Sequence, residues 1–228
     1  MTDKFDQFGH PIGEDGERCE QEDQKGQSTY PVDLKIDYPG ELDRISTFFR
    51  LIIAIPILII LALLMNSGTS EHEPYIITGI GFVVIPTILT IVFVNKYPKW
   101  WYNWNFELMK FSLRVGTFIN LMTDKYPDLE NDQNVHLTMP YPEVGKDIDR
   151  FMPLIKWFLA IPHYIVLIFL GIIAFFMIVI SWFAIIFTGK YPRSFFNFIE
   201  GYMRWSIRVT AYTTLMITDE YPPFSLNE

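Results

Sequence analysis

Apolar positions along this chain fall into long unbroken runs and short alternating stretches, and the two patterns follow one another twice. Ile45 to Met65 is interrupted only by Ser46, Thr47 and Arg50, and Tyr75 to Val94 carries no charge. Each run is long enough to cross a hydrocarbon core of ~30 Å as a helix. A third run, Leu154 to Phe187, holds one charge, Lys156, and one histidine, His163. As a single helix it would be ~51 Å long at ~1.5 Å per residue, too long for one crossing. A break at Gly171 is therefore predicted, giving helices over roughly Ile148 to Leu170 and Ile172 to Phe187. Four spans in two hairpins result.

The alternating stretches read as strands. Val32, Leu34 and Ile36 alternate with Asp33, Lys35 and Asp37, and Val135, Leu137 and Met139 alternate with His136 and Thr138, which leaves one apolar face on each. A lone strand leaves its backbone unpaired, so the two are expected to pair, either within the chain across a pseudo-twofold axis or between subunits. After each hairpin comes an amphipathic segment. In Lys99 to Met122, Trp100, Trp104, Leu108, Phe111, Val115 and Phe118 recur at helical spacing. Phe195, Phe198, Tyr202, Trp205 and Val209, with Arg193, Arg204 and Arg208, repeat the design. Aromatic rings with cationic stems suit a helix lying at headgroup level, and Trp100, Trp101, Trp104 and Trp205 are the expected interfacial aromatics.

These elements recur in register. Arg44, Arg50 and Ala54-Ile55-Pro56 match Arg150, Lys156 and Ala160-Ile161-Pro162. Lys96-Tyr97-Pro98 and Arg114-Val115 match Lys190-Tyr191-Pro192 and Arg208-Val209, and Leu121-Met122 matches Leu215-Met216. Asp124 and Tyr126-Pro127 then match Asp219 and Tyr221-Pro222 after a slip of one residue. The expected fold is an all-α integral membrane protein with a small β contribution. It comprises two tandem repeats, residues 30–128 and 135–226, each a short strand, a two-span helical hairpin and an amphipathic interfacial helix. Pro56 and Pro162 are expected to kink their spans.

Charge sets the orientation. The 18 Lys and Arg residues fall at the N-terminal, central and C-terminal segments or in the first turns of a span, and none lies in Asn66 to Pro74 or around Gly171. The positive-inside rule then places both termini in the cytoplasm. Residues 1–29 hold eight acids and three bases with little apolar surface, so a disordered acidic tail is expected. The chain starts without the apolar stretch of a signal peptide, and its single cysteine, Cys19, excludes an intrachain disulfide.

Candidate chemistry is sparse. The four histidines, His10, His72, His136 and His163, form no metal-ligand spacing, so no metal or cofactor is expected. His163 is the one expected inside a span, as a buried polar site. The predicted spans hold no Asp or Glu within their apolar interiors, which weakens ion-coupled transport, and there is no phosphate-binding glycine loop or serine elbow. Arg50 and Lys156 sit inside the first turns of their spans, where a charge must snorkel to the headgroups or find a partner. With Arg44, Arg114, Arg150, Arg204 and Arg208 they are the candidates for lipid-phosphate or subunit contact. Asp43, Asp124, Asp149 and Asp219 are the expected ion-pair partners of Arg44, Arg50, Arg114, Arg150 and Arg208. The net charge of -8 disfavours nucleic acid.

Arg204-Trp205-Ser206-Ile207-Arg208-Val209 and Asp219-Glu220-Tyr221-Pro222-Pro223-Phe224, following the Ala-Ile-Pro and Lys-Tyr-Pro elements, are what the DUF4389 family shows. From about residue 30 to 226 the chain resembles two tandem copies of this bacterial membrane family, the second copy more closely. The resemblance implies fold and location and carries no activity. The expected function is a non-catalytic accessory or scaffold subunit of a larger bacterial inner-membrane assembly, contacting lipids and other membrane subunits, with homo-oligomers compatible. The competing expectation is a small oligomeric channel or transporter with a path between the repeats.

Overall fold

A computed structural model of the chain describes residues 30–65, 84–128, 134–145 and 147–227. The expected acidic tail, the loop Asn66 to Pro74 and the first part of the second apolar run lie outside the described residues. In order, the elements are β1 (Asp33–Ile36), α1 (Arg44–Met65), α2 (Val84–Val94), α3 (Lys99–Ile119), β2 (Val135–Thr138), α4 (Lys156–Leu159), α5 (Ile161–Thr188) and α6 (Arg193–Thr213). The protein is mostly helical with one two-stranded sheet.

The alternating stretches pair within the chain. β1 and β2 run antiparallel, with Leu34 opposite Leu137 and Ile36 opposite Val135. Val32, Leu34, Ile36, Val135, Leu137 and Met139 all turn into the core, because the period-2 side-chain alternation places them on one face. Lys35, Asp37 and His136 occupy the opposite, exposed face. There His136 Nε2 lies 3.1 Å from the Asp37 carboxylate.

The third apolar run departs from expectation. α5 is one continuous helix through Gly171, about 42 Å long at ~1.5 Å per residue, so the second half contains no two-helix hairpin. The reason lies at Gly171 itself. A Cβ there would stand 3.0 Å from the Tyr202 hydroxyl, so the absent side chain leaves room for the end of an α6 side chain and marks no break. The helix also starts later than the apolar pattern indicates. Met152–Leu154 forms a 3-10 turn, α4 is one turn long, and α5 begins after Ala160. Pro162 thus stands in the first turn of α5, a position that needs no N–H donor within that helix, just after the interruption at Ala160 that separates α4 from α5. Pro56 does lie inside α1.

Helix ends follow local chemistry. Asp43 caps α1, its carboxylate accepting the Ile45 and Ser46 N–H groups at 3.2 and 3.3 Å. α5 ends on Gly189 at φ 74° and α2 on Asn95 at φ 54°, two residue types that tolerate the left-handed region. Pro98 and Pro192 of the Lys-Tyr-Pro elements cap α3 and α6 in extended conformation. Beyond these helices Leu121 (φ 65°) and Met216 (φ 54°) turn the chain back. They are equivalent in position, so the one-residue slip falls before Met216 rather than after it.

Neighbouring elements close a ring: β1 packs on β2, β2 on α3, α3 on α1, α1 on α5, α5 on α6, and α6 on β1. The sheet forms one side, α1 and α5 the opposite side, and α3 and α6 the walls. The core within it includes Leu34, Leu137, Tyr102, Met122, Ala174, Tyr191, Phe196 and Met203. α1 contributes a narrow buried stripe, Thr47, Arg50, Ala54 and Ile57, and α5 contributes His163, Leu167, Ala174, Ser181 and Ile185. Most of the other described side chains of both helices are apolar and exposed or half-buried, and both helices are long and apolar enough to cross a membrane.

Candidate functional site

The expected lipid-facing cations divide into two buried pairs and three dispersed residues. Arg50 and Lys156 are buried, and both point at the loop that follows the next amphipathic helix in their half. Arg50 donates to the Phe118 carbonyl at 3.1 Å, to the Thr123 carbonyl and to the Asp124 carboxylate, with its guanidinium 4.6 Å from the Phe118 ring centre. Lys156 donates to the Thr218 carbonyl at 2.7 Å and pairs with the Asp219 carboxylate at 2.8 Å, above the Tyr212 ring. The same two carboxylates also hold the chain before each helix: Asp43 N–H donates to Asp124 at 2.6 Å, and Asp149 N–H donates to Asp219 at 2.5 Å. A cation inside a helix, an acid on the return loop and the backbone at the helix mouth thus form one clamp in each half.

Arg204 and Arg208 do something different. Ile36 N–H donates to the Glu200 carboxylate at 2.9 Å, Arg204 Nε donates to the Leu34 carbonyl at 2.7 Å, and Arg208 Nε donates to the Val32 carbonyl at 3.1 Å. Positions four apart on a helix rise ~6.0 Å, and alternate residues on a strand rise ~6.4–6.8 Å, so the two repeats match. Glu200, Arg204 and Arg208 occupy the free edge of β1 where a third strand would otherwise pair, and an edge covered this way cannot template another chain. Asp33 completes the ladder, with its carboxylate 3.4 Å from Arg204 and 3.2 Å from Arg208. Burial lowers the Arg208 pKa from its ordinary value while Asp33 works in the opposite direction, and burial pushes the neighbouring Tyr30 phenol well above its usual range.

The other sequence candidates are dispersed. Arg114 is buried and donates to the Asp128 carbonyl at 2.7 Å. Arg44 and Arg150 are exposed at helix mouths: Arg150 donates to the Val92 carbonyl at the end of α2, and Arg44 packs beside Gly189 at the end of α5. Trp100 and Trp104 are exposed, whereas Trp101 is buried and donates to the Thr87 hydroxyl at 2.9 Å. Trp205 is buried too, with its indole N–H donating to His163 Nδ1 at 3.1 Å.

His163 sits in an aromatic box. Phe224 stacks on it with ring centres 4.0 Å apart, Tyr221 lies 4.7 Å away and Trp205 meets it edge-on. Because Nδ1 accepts from Trp205, neutral His163 carries its proton on Nε2, which has no hydrogen-bond partner among the described residues. In the first half the matching residues, Ile57 and Phe111, join Val115 in a wholly apolar cluster. Sequence reasoning missed Tyr212, Asp33 and Glu200. The signal for Glu200 was present in its spacing of four and eight residues from Arg204 and Arg208, beside a strand of alternating type. Among the described residues no group of three or more His, Cys, Asp or Glu side chains is placed to hold a metal ion.

Residues 153–225 match the family model of a domain of unknown function, DUF4389. The match takes in one copy, about a third of the chain, rather than the two tandem copies that the resemblance implied. The Lys156–Asp219 clamp, the His163 box, Arg204 and Arg208 all lie within the matched stretch. No curated protein and no solved structure matches the chain.

Proposed function

We propose that the protein is a non-catalytic, membrane-embedded accessory or scaffold subunit of a bacterial inner-membrane assembly, built from two copies of one unit and carrying both termini on the cytoplasmic side. The observation that carries this reading is the outward face of α1 and α5. Leu51 and Phe187, each 75% exposed, and Ile45 at 71% stand among large apolar side chains that water would not leave uncovered. The buried cations support a structural role, since Arg50, Lys156, Arg204 and Arg208 all donate to the chain's own carbonyls and carboxylates. Two copies are supported by bonds that recur between halves. Tyr38 hydroxyl donates to the Tyr191 carbonyl and Tyr141 hydroxyl to the Tyr97 carbonyl, so each copy's strand end holds the other copy's Lys-Tyr-Pro element.

Purification in mild detergent from native membranes, followed by mass spectrometry and sizing, tests this. The expected outcome is a complex with another membrane protein at fixed stoichiometry. A pure homo-oligomer that conducts ions after reconstitution into liposomes would overturn it in favour of a channel.

A further inference from the structure

α6 runs antiparallel along α5. Tyr164 hydroxyl donates to the Thr213 hydroxyl at 3.0 Å, Leu167 packs with Val209, and Gly171 faces Tyr202, before the chain turns at Gly189 directly into α6. β1 in turn lies along the far side of α6, held through Arg208 at Val32 and Arg204 at Leu34. The outer face of that sheet carries exposed Lys35, Asp37 and His136. The molecule therefore divides lengthwise, with the apolar face of α1 and α5 on one side and a charged sheet on the opposite side, both extending alongside the same helix.

A helix that crosses a bilayer carries its lateral neighbours to the same depth. With α5 upright, α6 and then β1 would stand within the hydrocarbon, and Lys35 and Asp37 would face lipid with no water to solvate them. Along its exposed side α5 presents Ile165, Ile168, Phe169, Ile172, Phe176 and Phe183 without one charge, and exposed Arg44 and Lys190 stand at its C-terminal rim. Apolar centre and cationic rim match the acyl region and the anionic headgroups of one leaflet.

We propose that α5, with α1 beside it, lies along the cytoplasmic surface of the membrane, its exposed face sunk into one leaflet and the sheet turned to water. This rests on the membrane reading above and replaces crossing by α5 with monotopic insertion.

Single cysteines in the full-length chain carrying Cys19→Ser test it, using a membrane-impermeant maleimide on intact spheroplasts and on inverted vesicles. Glu220→Cys marks the water-exposed loop beside the start of α5, Lys190→Cys marks its end, and Ile172→Cys its exposed middle. The expected result is labelling at 220 and 190 in inverted vesicles only. The thiol at 172 should react at least ~10-fold more slowly from either side, because hydrocarbon suppresses the thiolate. Labelling of 220 and 190 from opposite sides would show that α5 crosses and overturn the proposal. Labelling of 172 from outside, with 220 and 190 inside, would show a hairpin and overturn it equally. Recovery in the soluble fraction as a dimer with 172 protected would overturn the membrane reading itself, since a second copy would then cover the face.

Discussion

Arg50 and Lys156 look alike in sequence to surface cations that snorkel, yet each is buried against a carboxylate on a return loop. A buried cation whose partner is removed keeps its desolvation cost and loses its compensation. Asp219→Asn should therefore destabilise the protein by about 3–5 kcal/mol, and Lys156→Met combined with Asp219→Asn should recover most of that loss. Thermal unfolding in detergent reads both, and a double variant no more stable than the single one would assign the effect to the Asp149 N–H instead. His163 makes a second case. His163→Ile strips Trp205 of its acceptor and should cost about 1–3 kcal/mol. Adding Trp205→Phe rebuilds the Ile57 and Phe111 pair of the first half, so stability should return. If His163→Ile alone melts like the parent chain, the Trp205 bond contributes nothing.

At the scale of elements, two glycines on facing helices carry opposite expectations. A Cβ at Gly201 would stand 2.6 Å from the Leu226 carbonyl oxygen, a backbone atom with no rotamer to escape into. Gly201→Ala should cost about 1–3 kcal/mol through overpacking and release the C-terminal segment, which limited proteolysis near Leu226 would detect. Gly171 meets only the end of the Tyr202 side chain, and alanine gains ~1 kcal/mol of helix propensity, so Gly171→Ala should leave the melting temperature within a few degrees of the parent. Strong destabilisation at Gly171 would mean that the Tyr202 hydroxyl cannot move. The same pair shows what was legible. The strands, α3 and α6 follow from periodicity, because one period maps onto one buried face, and α1 follows from the length of its apolar run. The course of α5 does not, because a residue that lets a neighbour approach and a residue that breaks a helix are both written as glycine.

Across the whole molecule, alkaline titration should expose how much of the fold depends on neutral buried phenols. Burial pushes the Tyr191 hydroxyl up to about 12, with a weaker opposing effect from Ser181. In the unfolded chain a tyrosine titrates near ~10, so between about pH 10 and 12 the native state holds a proton that the unfolded state has lost, and stability falls as pH rises. The loss from this residue should reach roughly 2–3 kcal/mol at the upper end and vanish below about pH 10. Following tyrosinate absorbance and helicity together checks it: Tyr191→Phe should shift alkaline unfolding upward, and an unchanged midpoint would place the sensitive phenol elsewhere.

Periodicity and the length of the apolar runs by themselves determined the two short strands and the apolar helices long enough to enter a membrane, since each of these is a property of neighbouring residues in the chain. The tertiary structure alone decided the rest. It paired β1 with β2, set Glu200, Arg204 and Arg208 along the strand edge, closed the aromatic box on His163 and carried α5 unbroken past Gly171. Those outcomes depend on which groups meet across tens or hundreds of residues, and a buried cation differs from a snorkelling one only in what the distant chain brings to it.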